Sequence, residues 1–293
     1  MSSFKSVDPS PLEKNRVEGG TLYLVATPIG NLADLSERAI KVLSEVDFVA
    51  AEDTRNSMRL LSHLGISKPM VSYFEHNKRE RGKQIAARLE AGESCALVTD
   101  AGTPAISDPG EDMVALCAER GIPVTSIPGP VASITALTLS GLPTGRFTFE
   151  GFLSTNKSDR RAHLSSLENE TRTMLFHEAP HKLKATLADL AATFGTDRRI
   201  ALCRELTKLN EEIQRMTLGE AIAHYEENAP RGEYVLVVEG RKDAPAESAF
   251  WAEMDIPSHV QHYMDGGMGK MDAIKQAARD RGVPKNEVYK EMV

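Results

Sequence analysis

The chain has 293 residues, 41% of them hydrophobic and 26% charged, enough for about two domains of ordinary size, each able to bury its own core. Every apolar run is shorter than the roughly 20 residues that cross a bilayer, which excludes a membrane-spanning helix. The net charge of −7 argues against indiscriminate binding to nucleic acid, DNA included, because that affinity comes from Lys and Arg neutralising phosphates; a locally basic surface is still allowed.

Residues 1–20, "MSSFKSVDPSPLEKNRVEGG", are polar and rich in Ser, Pro and Gly, without the apolar stretch of a secretory signal. They read as a flexible tail on a cytoplasmic protein. From residue 21, β-branched runs alternate with amphipathic ones. "TLYLVATP" predicts a strand, "LSERAIKVLSEV" a helix, "DFVAAED" a strand and "TRNSMRLLSHLG" a helix stopped at Gly65. Strand "MVSYF", helix "RGKQIAARLEAG", strand "CALVTD", helix "EDMVALCAERG", strand "PVTSI" and helix "VASITALTLSG" follow. This alternation implies a mainly parallel sheet covered by helices, an N-terminal α/β domain over 21–145.

The breakers in "LPTGR" then change the pattern. Strand-like "FTFEGFL", "TRTMLF", "RRIALCRE", "EEIQRMT" and "GEYVLVVEG" alternate less regularly with helical "RRAHLSSLE", "HKLKATLADLAATFG" and "LGEAIAHYEE". We read 146–240 as a second α/β domain with a mixed sheet, and the cleft between two such domains is a usual place for a ligand. Residues 241–252 resemble a linker. Residues 253–293 form short helices of a helix-turn-helix unit, with Met271, Ile274, Ala278, Val283 and Val288 as one apolar seam. Cys95, Cys117 and Cys203 lie far apart in apolar runs, as buried reduced thiols do.

"HEAPH", residues 177–181, matches the zinc-protease pattern H-E-x-x-H. That site needs an unbroken helix through both histidines, and Pro180 falls inside it, so no metal site is expected. No Gly-rich dinucleotide or triphosphate loop follows any strand. Three other strand ends stand out. "TPIGNLADLS" turns at Pro28 and Gly30. "DAGTPAISDPG" places Asp100 at a strand's carboxyl end, with Gly102 allowing close backbone approach, Thr103 and Ser107 adding hydroxyls, and Pro104 and Pro109 stiffening the loop. "PGPVASITALTLSGLP" makes a rigid turn into a helix whose first residues, Val131 to Ser133, offer free amides. Neutral, hydrogen-bonding loops converging on one sheet edge suit a nucleoside or amino-acid moiety. In "AAEDTR", Glu52 and Asp53 reach the same edge, where Asp53 or Thr54 equally suits a helix cap.

With these strings in hand, the chain resembles the tetrapyrrole (Cor/Cob-type) methylase fold and, within it, the ribosomal RNA small subunit methyltransferase I family. "ATPIGNLADLSERA", "AEDTR", "DAGTPAISDPG", "PGPVASITALTLSGLP", "FEGFL", "HEAPHKL", "RELTKLNEE" and "RGEYVLVV" carry the resemblance, which runs over almost the whole chain from Thr21. Ser154 departs from the proline expected after "FEGFL". The C-terminal helix-turn-helix is also similar to that family's extension. The resemblance implies an S-adenosylmethionine-dependent 2′-O-methyltransferase acting on a cytidine in the decoding region of 16S rRNA, working as a homodimer. It implies cofactor contacts at Pro28, Asp100, Gly102, Ile106, Ser107, Ser133 and the strand end near Phe176.

Methyl transfer to a ribose hydroxyl requires orientation of the oxygen and removal of its proton. Glu52, Asp53, Glu178, His181 and Glu205 are candidate bases, with Glu178, Glu205 and Lys182 put forward as catalytic. Lys182, Arg204 and Lys208 are candidates to hold phosphate or a developing alkoxide. Candidate RNA contacts are Lys78, Arg79, Arg81 and Lys83 in "HNKRERGKQ", Arg204 and Lys208, and Lys270 and Lys275 in the C-terminal unit, whose last 28 residues carry six Lys or Arg against four acids. A tetrapyrrole methylase of the same fold and a non-catalytic RNA-binding protein are the competing readings.

Overall fold

The computed structural model describes residues 16–242, 250–251 and 254–292; most of the expected tail (1–15) and of the expected linker (243–249 and 252) lies outside them. The described residues fall into two compact units. One runs to Glu168 and from Arg172 to Glu239, and the other takes Asn169–Thr171 and Gly240 onward.

The first unit contains two sheets. Strands β1 (Leu22–Val25), β2 (Phe48–Ala51), β3 (Met70–Ser72), β4 (Cys95–Val98) and β5 (Val124–Ile127) form a sheet in the order β3-β2-β4-β1-β5. All its pairings are parallel. β2 and β4 are buried at every residue, which explains why they read as unbroken apolar runs rather than alternating ones. Helices α1 (Glu37–Glu45), α2 (Thr54–His63), α3 (Lys78–Glu90) and α4 (Gly110–Glu119) cover it. Val42, Leu43 and Leu61 pack on one face with Val25 and Val49, and Ile85, Leu89 and Met113 pack on the other with Leu22 and Phe48. α3 begins three residues before the expected "RGKQ", since the Asn77 carbonyl already accepts the Arg81 amide. Lys78 and Arg79 therefore sit on a helix rather than in a loop.

α5 (Ala132–Ser140) has no polar face beyond small hydroxyls, and it is sandwiched accordingly. Ala136 and Leu137 pack on Leu175, Ala201, Cys203, Val235 and Val237 of the second sheet. That sheet comprises β6 (Phe147–Phe152), β7 (Thr173–Glu178), β8 (Arg199–Arg204), β9 (Glu212–Thr217) and β10 (Tyr234–Val238), ordered β6-β7-β10-β8-β9. β6 and β7 are parallel and the other pairs antiparallel, so the sheet is mixed. α6 (Lys157–Ser166), α7 (Leu183–Phe194) and α8 (Leu218–Glu227) complete this part of the unit. Leu183, Leu187 and Leu218 share a core with Met174, Phe176, Leu202 and Leu236. Cys95, Cys117 and Cys203 are buried and unpaired. Among the described residues no helix is long and apolar enough to cross a membrane.

In the second unit, α9 (Ile256–Asp265), α10 (Lys270–Arg281) and α11 (Lys285–Lys290) close around Val260, Ala273, Ile274, Ala277, Ala278 and Val288. Asp255 caps α9 by accepting from Ser258 N at 2.7 Å, and Gly282 ends α10 in the left-handed conformation. Val283 is partly buried as the seam requires, whereas Met271 faces solvent. The seam runs through Ala273 and Ala277 instead, small residues that let the helices approach.

Candidate active site

The three loops after β1, β4 and β5 are tied to one another. Thr27 N donates to Gly102 O at 2.9 Å and Gly102 N returns to Thr27 O at 3.0 Å, a two-residue bridge joining the β1 and β4 loops. The Thr103 hydroxyl donates to Pro130 O at 3.1 Å and so attaches the β5 loop. Inside the β4 loop, Asp108 accepts from Ala105 N at 3.0 Å, Ile106 N at 3.3 Å and Gly110 N at 2.7 Å. The buried Tyr73 hydroxyl donates to Pro109 O at 2.9 Å.

This bracing sustains an unusual backbone. Among the described residues, the non-glycine residues at positive φ are Ala105, Ser107, Glu205 and Thr207. They belong to two loops, and such conformations persist where surrounding structure over-determines them, often around ligands. The loops belong to opposite halves of the unit. Ile29, Ala101 and Ala132 from the first-sheet side and Phe152, His177, Glu178, Ala179, Glu205, Leu206 and Lys208 from the second line one cavity of about 280 Å³. The halves meet closely beside it: a Cβ on Gly30 would lie 2.3 Å from Lys208 Cγ, and one on Gly151 would lie 3.6 Å from the Ser107 hydroxyl.

His177 faces this cavity between the edges of Phe149 and Phe152, each ring centroid 5.4 Å away. Its Nε2 is buried with no hydrogen-bond partner, and burial pushes the imidazole pKa down, which favours the neutral ring. Lys208 Nζ donates to Glu205 Oε1 at 2.8 Å and to Glu233 Oε2 at 2.9 Å, and Lys208 with the Glu233 amide holds the Glu205 carboxyl below its ordinary range. At the first sheet's edge, burial and the charges of Asp100 and Asp108 push the Glu52 carboxyl up. The loop edge thus carries a negative field.

Other expected residues are distributed as follows. Pro28 and Asp100 line a neighbouring cavity of about 300 Å³ with Thr27, Asn56, Arg59 and Thr99. Gly102 is buried at φ 85° in the bridge, Ile106 and Ser107 are exposed on the braced loop, and Ser133 is buried at the start of α5. Phe176 packs in the core under α7, so only its backbone can face a ligand. Glu178 is 3% exposed; its Oε1 accepts the Ala179 amide at 2.8 Å and its Oε2 the Thr186 hydroxyl, so both oxygens are occupied. Asp53 caps α2, accepting from Arg55 N at 2.8 Å, and the Arg55 guanidinium holds its carboxyl at about 2.

Lys182 precedes α7, beside a groove rather than in the cavity. Arg204 is paired with Glu212 at 2.9 Å. Lys78 is committed to Glu75 and Asp112, while Arg79, Arg81 and Lys83 are exposed on α3. Lys270 is exposed and Lys275 pairs with Asp272 at 2.9 Å.

β7 ends at Glu178 and α7 starts at Leu183, so His177 and His181 share no helical face. Sequence reasoning passed over His177 as a cleft residue because that motif invited a metal question. Its period-2 spacing from Leu175, which packs under α5, was the available signal. Asp108 was also missed; Asp before Pro-Gly is a turn signature.

The tetrapyrrole (corrin/porphyrin) methylase family model matches residues 21–222. A protein named ribosomal RNA small subunit methyltransferase I from Synechocystis sp. is 46% identical over 270 residues, covering 92% of this chain and 96% of its own. Its namesake from Halalkalibacterium halodurans is 47% identical over 277 residues, covering 94% and 96%. The crystal structure of uroporphyrin-III-C-methyltransferase from Thermus thermophilus superposes with a TM-score of 0.55 at 20% identity, covering 75% of this chain and 94% of that one, and shows the shared fold. The chain therefore belongs to the ribosomal RNA small subunit methyltransferase I family within the tetrapyrrole methylases.

Proposed function

We propose that this chain transfers the methyl group of S-adenosylmethionine to the ribose 2′-hydroxyl of a cytidine in the decoding region of 16S rRNA, in the cytoplasm and as a homodimer. The observation that carries the reading is the cleft cavity, where braced loops of the first sheet face His177, Glu205 and Lys208, in a chain 46–47% identical to proteins named for small-subunit RNA methylation.

The residues present fit that cofactor. Gly102, at φ 85°, turns the loop beside the cavity-lining Ala101, and Val131 places no side-chain cap on α5, so the first amides of the helix remain available to a carboxylate. Glu52 and Asp100 at the sheet edge suit a cationic ligand. When bound, the cofactor supplies a methyl group on a sulfonium, open to in-line displacement by an oxygen nucleophile. The chain's part is to orient that oxygen and take its proton. His177, kept neutral by burial and lining the cavity, accepts the proton, and Lys208 stabilises negative charge on the oxygen. Glu205 positions Lys208, and Glu178 and Lys182 serve outside the proton transfer.

Ribose-methylation mapping of small-subunit RNA incubated with the protein and cofactor tests this. Methyl incorporation at one cytidine, lost when that residue is 2′-deoxycytidine, is expected. Methylation of a base or of a porphyrinoid, or no binding of S-adenosylmethionine by titration calorimetry, overturns it.

A further inference from the structure

We infer that the groove between α6 and α7 is a phosphodiester-binding track for RNA flanking the target nucleotide. The inference rests on the RNA-methylation reading. The groove, of about 730 Å³, is the larger hollow beside the cleft cavity, and neither the cofactor nor the proton transfer uses it. Its walls carry Lys157 and Arg161 from α6 and Lys182 from the head of α7, with the hydroxyls of Ser154, Thr155 and Ser165 between them.

The charge balance favours an anion. Arg160, also in the wall, is matched by Asp189, its Nε donating at 2.6 Å. That leaves one carboxylate, Glu168, against Lys157, Arg161 and Lys182, none of which has an ion-pair partner among the described residues. Lys157 and Arg161 are exposed to solvent. In a chain of net charge −7, three uncommitted cations around one hollow are a local reversal of sign. The acidic edge formed by Glu52 and Asp100 would repel phosphate, so the backbone of a bound RNA has reason to leave the cleft on the side of the second sheet.

The groove also begins where the cavity ends. Phe152 lines the cavity and the next three residues, Leu153, Ser154 and Thr155, line the groove; Glu178 and Ala179 line the cavity and Lys182 lines the groove. Both therefore open at the carboxyl ends of the parallel strands β6 and β7. The shared wall is rigid: Thr186 donates to Glu178 and accepts from Arg160 Nη2 at 2.9 Å, linking the cavity floor to the groove floor. A nucleotide placed with its ribose at the cavity sends its neighbouring phosphates toward these cations without crossing a carboxylate edge. Point charges and rotating hydroxyls with no aromatic platform read backbone rather than base.

The test is the full-length Lys157→Ala/Arg161→Ala double variant with a small-subunit RNA fragment across a salt series. A rise in the RNA dissociation constant of about tenfold is expected, with the slope of log K against log salt flatter by about 1.4 to 1.8. The KM for RNA should rise while kcat at saturating RNA and the S-adenosylmethionine dissociation constant stay unchanged, and Lys157→Arg/Arg161→Lys should restore the salt slope. A wild type that methylates RNA beside a double variant of unchanged RNA affinity and slope overturns the track alone. A wild type that methylates no RNA overturns the underlying reading and the track with it.

Discussion

Asp108 holds Ala105 in the left-handed region: its Oδ1 accepts the Ala105 amide at 3.0 Å while Ala105 sits at φ 68°. A non-glycine residue there costs on the order of 1–2 kcal/mol, and so does the next such residue, Ser107 at φ 64°. One carboxylate serving three amides offsets that cost and fixes the loop before any ligand arrives. Asp108→Ala is expected to weaken S-adenosylmethionine binding by about tenfold or more, because the loop must then be ordered at the expense of binding. Adding Ala105→Gly should recover part of the loss by removing the left-handed penalty. Titration calorimetry on the two variants decides it, and unchanged affinity in Asp108→Ala would show that the loop stands without its carboxylate.

The contact between Gly30 and Lys208 joins the two halves at the cleft. A methyl at residue 30 would meet Lys208 Cγ at 2.3 Å and the Thr207 hydroxyl at 3.0 Å. Gly30→Ala should therefore displace the lysine that is held by Glu205 and Glu233, lowering kcat/KM by about a factor of ten and destabilising the fold by roughly 1–3 kcal/mol. Lys208→Ala in the Gly30→Ala background should relieve most of the added instability. A double-mutant cycle by urea unfolding measures that coupling, and strict additivity would mean the two residues do not touch.

The short apolar runs and the helical periodicity carried the fold because they are local: the strands of 21–127 and their helices follow from where apolar residues recur. The shaped loops were legible for a related reason, since Gly102, Pro104 and Pro109 have few uses other than shaping backbone. What could not be read was contact at long separation. Nothing around Gly30 announces Lys208, and although strand alternation puts His177 and Glu178 on opposite faces, it does not name Phe152 and Thr186 as what they meet there. Of the expected carboxylates and cations, Glu178, Glu205 and Lys208 line the cavity, and which groups are committed depends on partners such as Arg55, Glu212 and Glu233, set by packing.

Burial of His177 makes a prediction about pH. An unfolded histidine takes up a proton near pH 6.5, whereas the folded ring does so only at lower pH because burial disfavours its charged form. Between those two values the unfolded state binds more protons, so the stability from the neutral ring is complete above about pH 6.5 and is lost as pH falls through the folded pKa. His177→Gln should show a flatter decline in unfolding free energy below pH 6.5 than the wild type, a difference that cancels the similar contribution of His259. If His177 also takes the ribose proton, the wild-type kcat/KM should stay level to below pH 6.5 before dropping. His177→Gln should cut kcat by about 10²-fold or more and lose that limb. A full-rate His177→Gln would remove it from the chemistry.

Glu178 separates a structural carboxylate from a catalytic one. At 3% exposure, with Oε1 on the Ala179 amide and Oε2 on the Thr186 hydroxyl, it is engaged at both oxygens, although it borders the cavity. Glu178→Gln turns one acceptor into a donor beside hydroxyl and amide groups already in use, and should cost about 1–3 kcal/mol of stability. Below its lowered melting temperature the variant should retain kcat within about twofold. Thr186→Val, which removes the hydroxyl from the same linkage, should reproduce the stability loss and spare kcat likewise. Should Glu178→Gln instead stay fully stable and lose kcat by a hundredfold, the proton acceptor is Glu178, and His177 becomes the group that shapes the cavity around it.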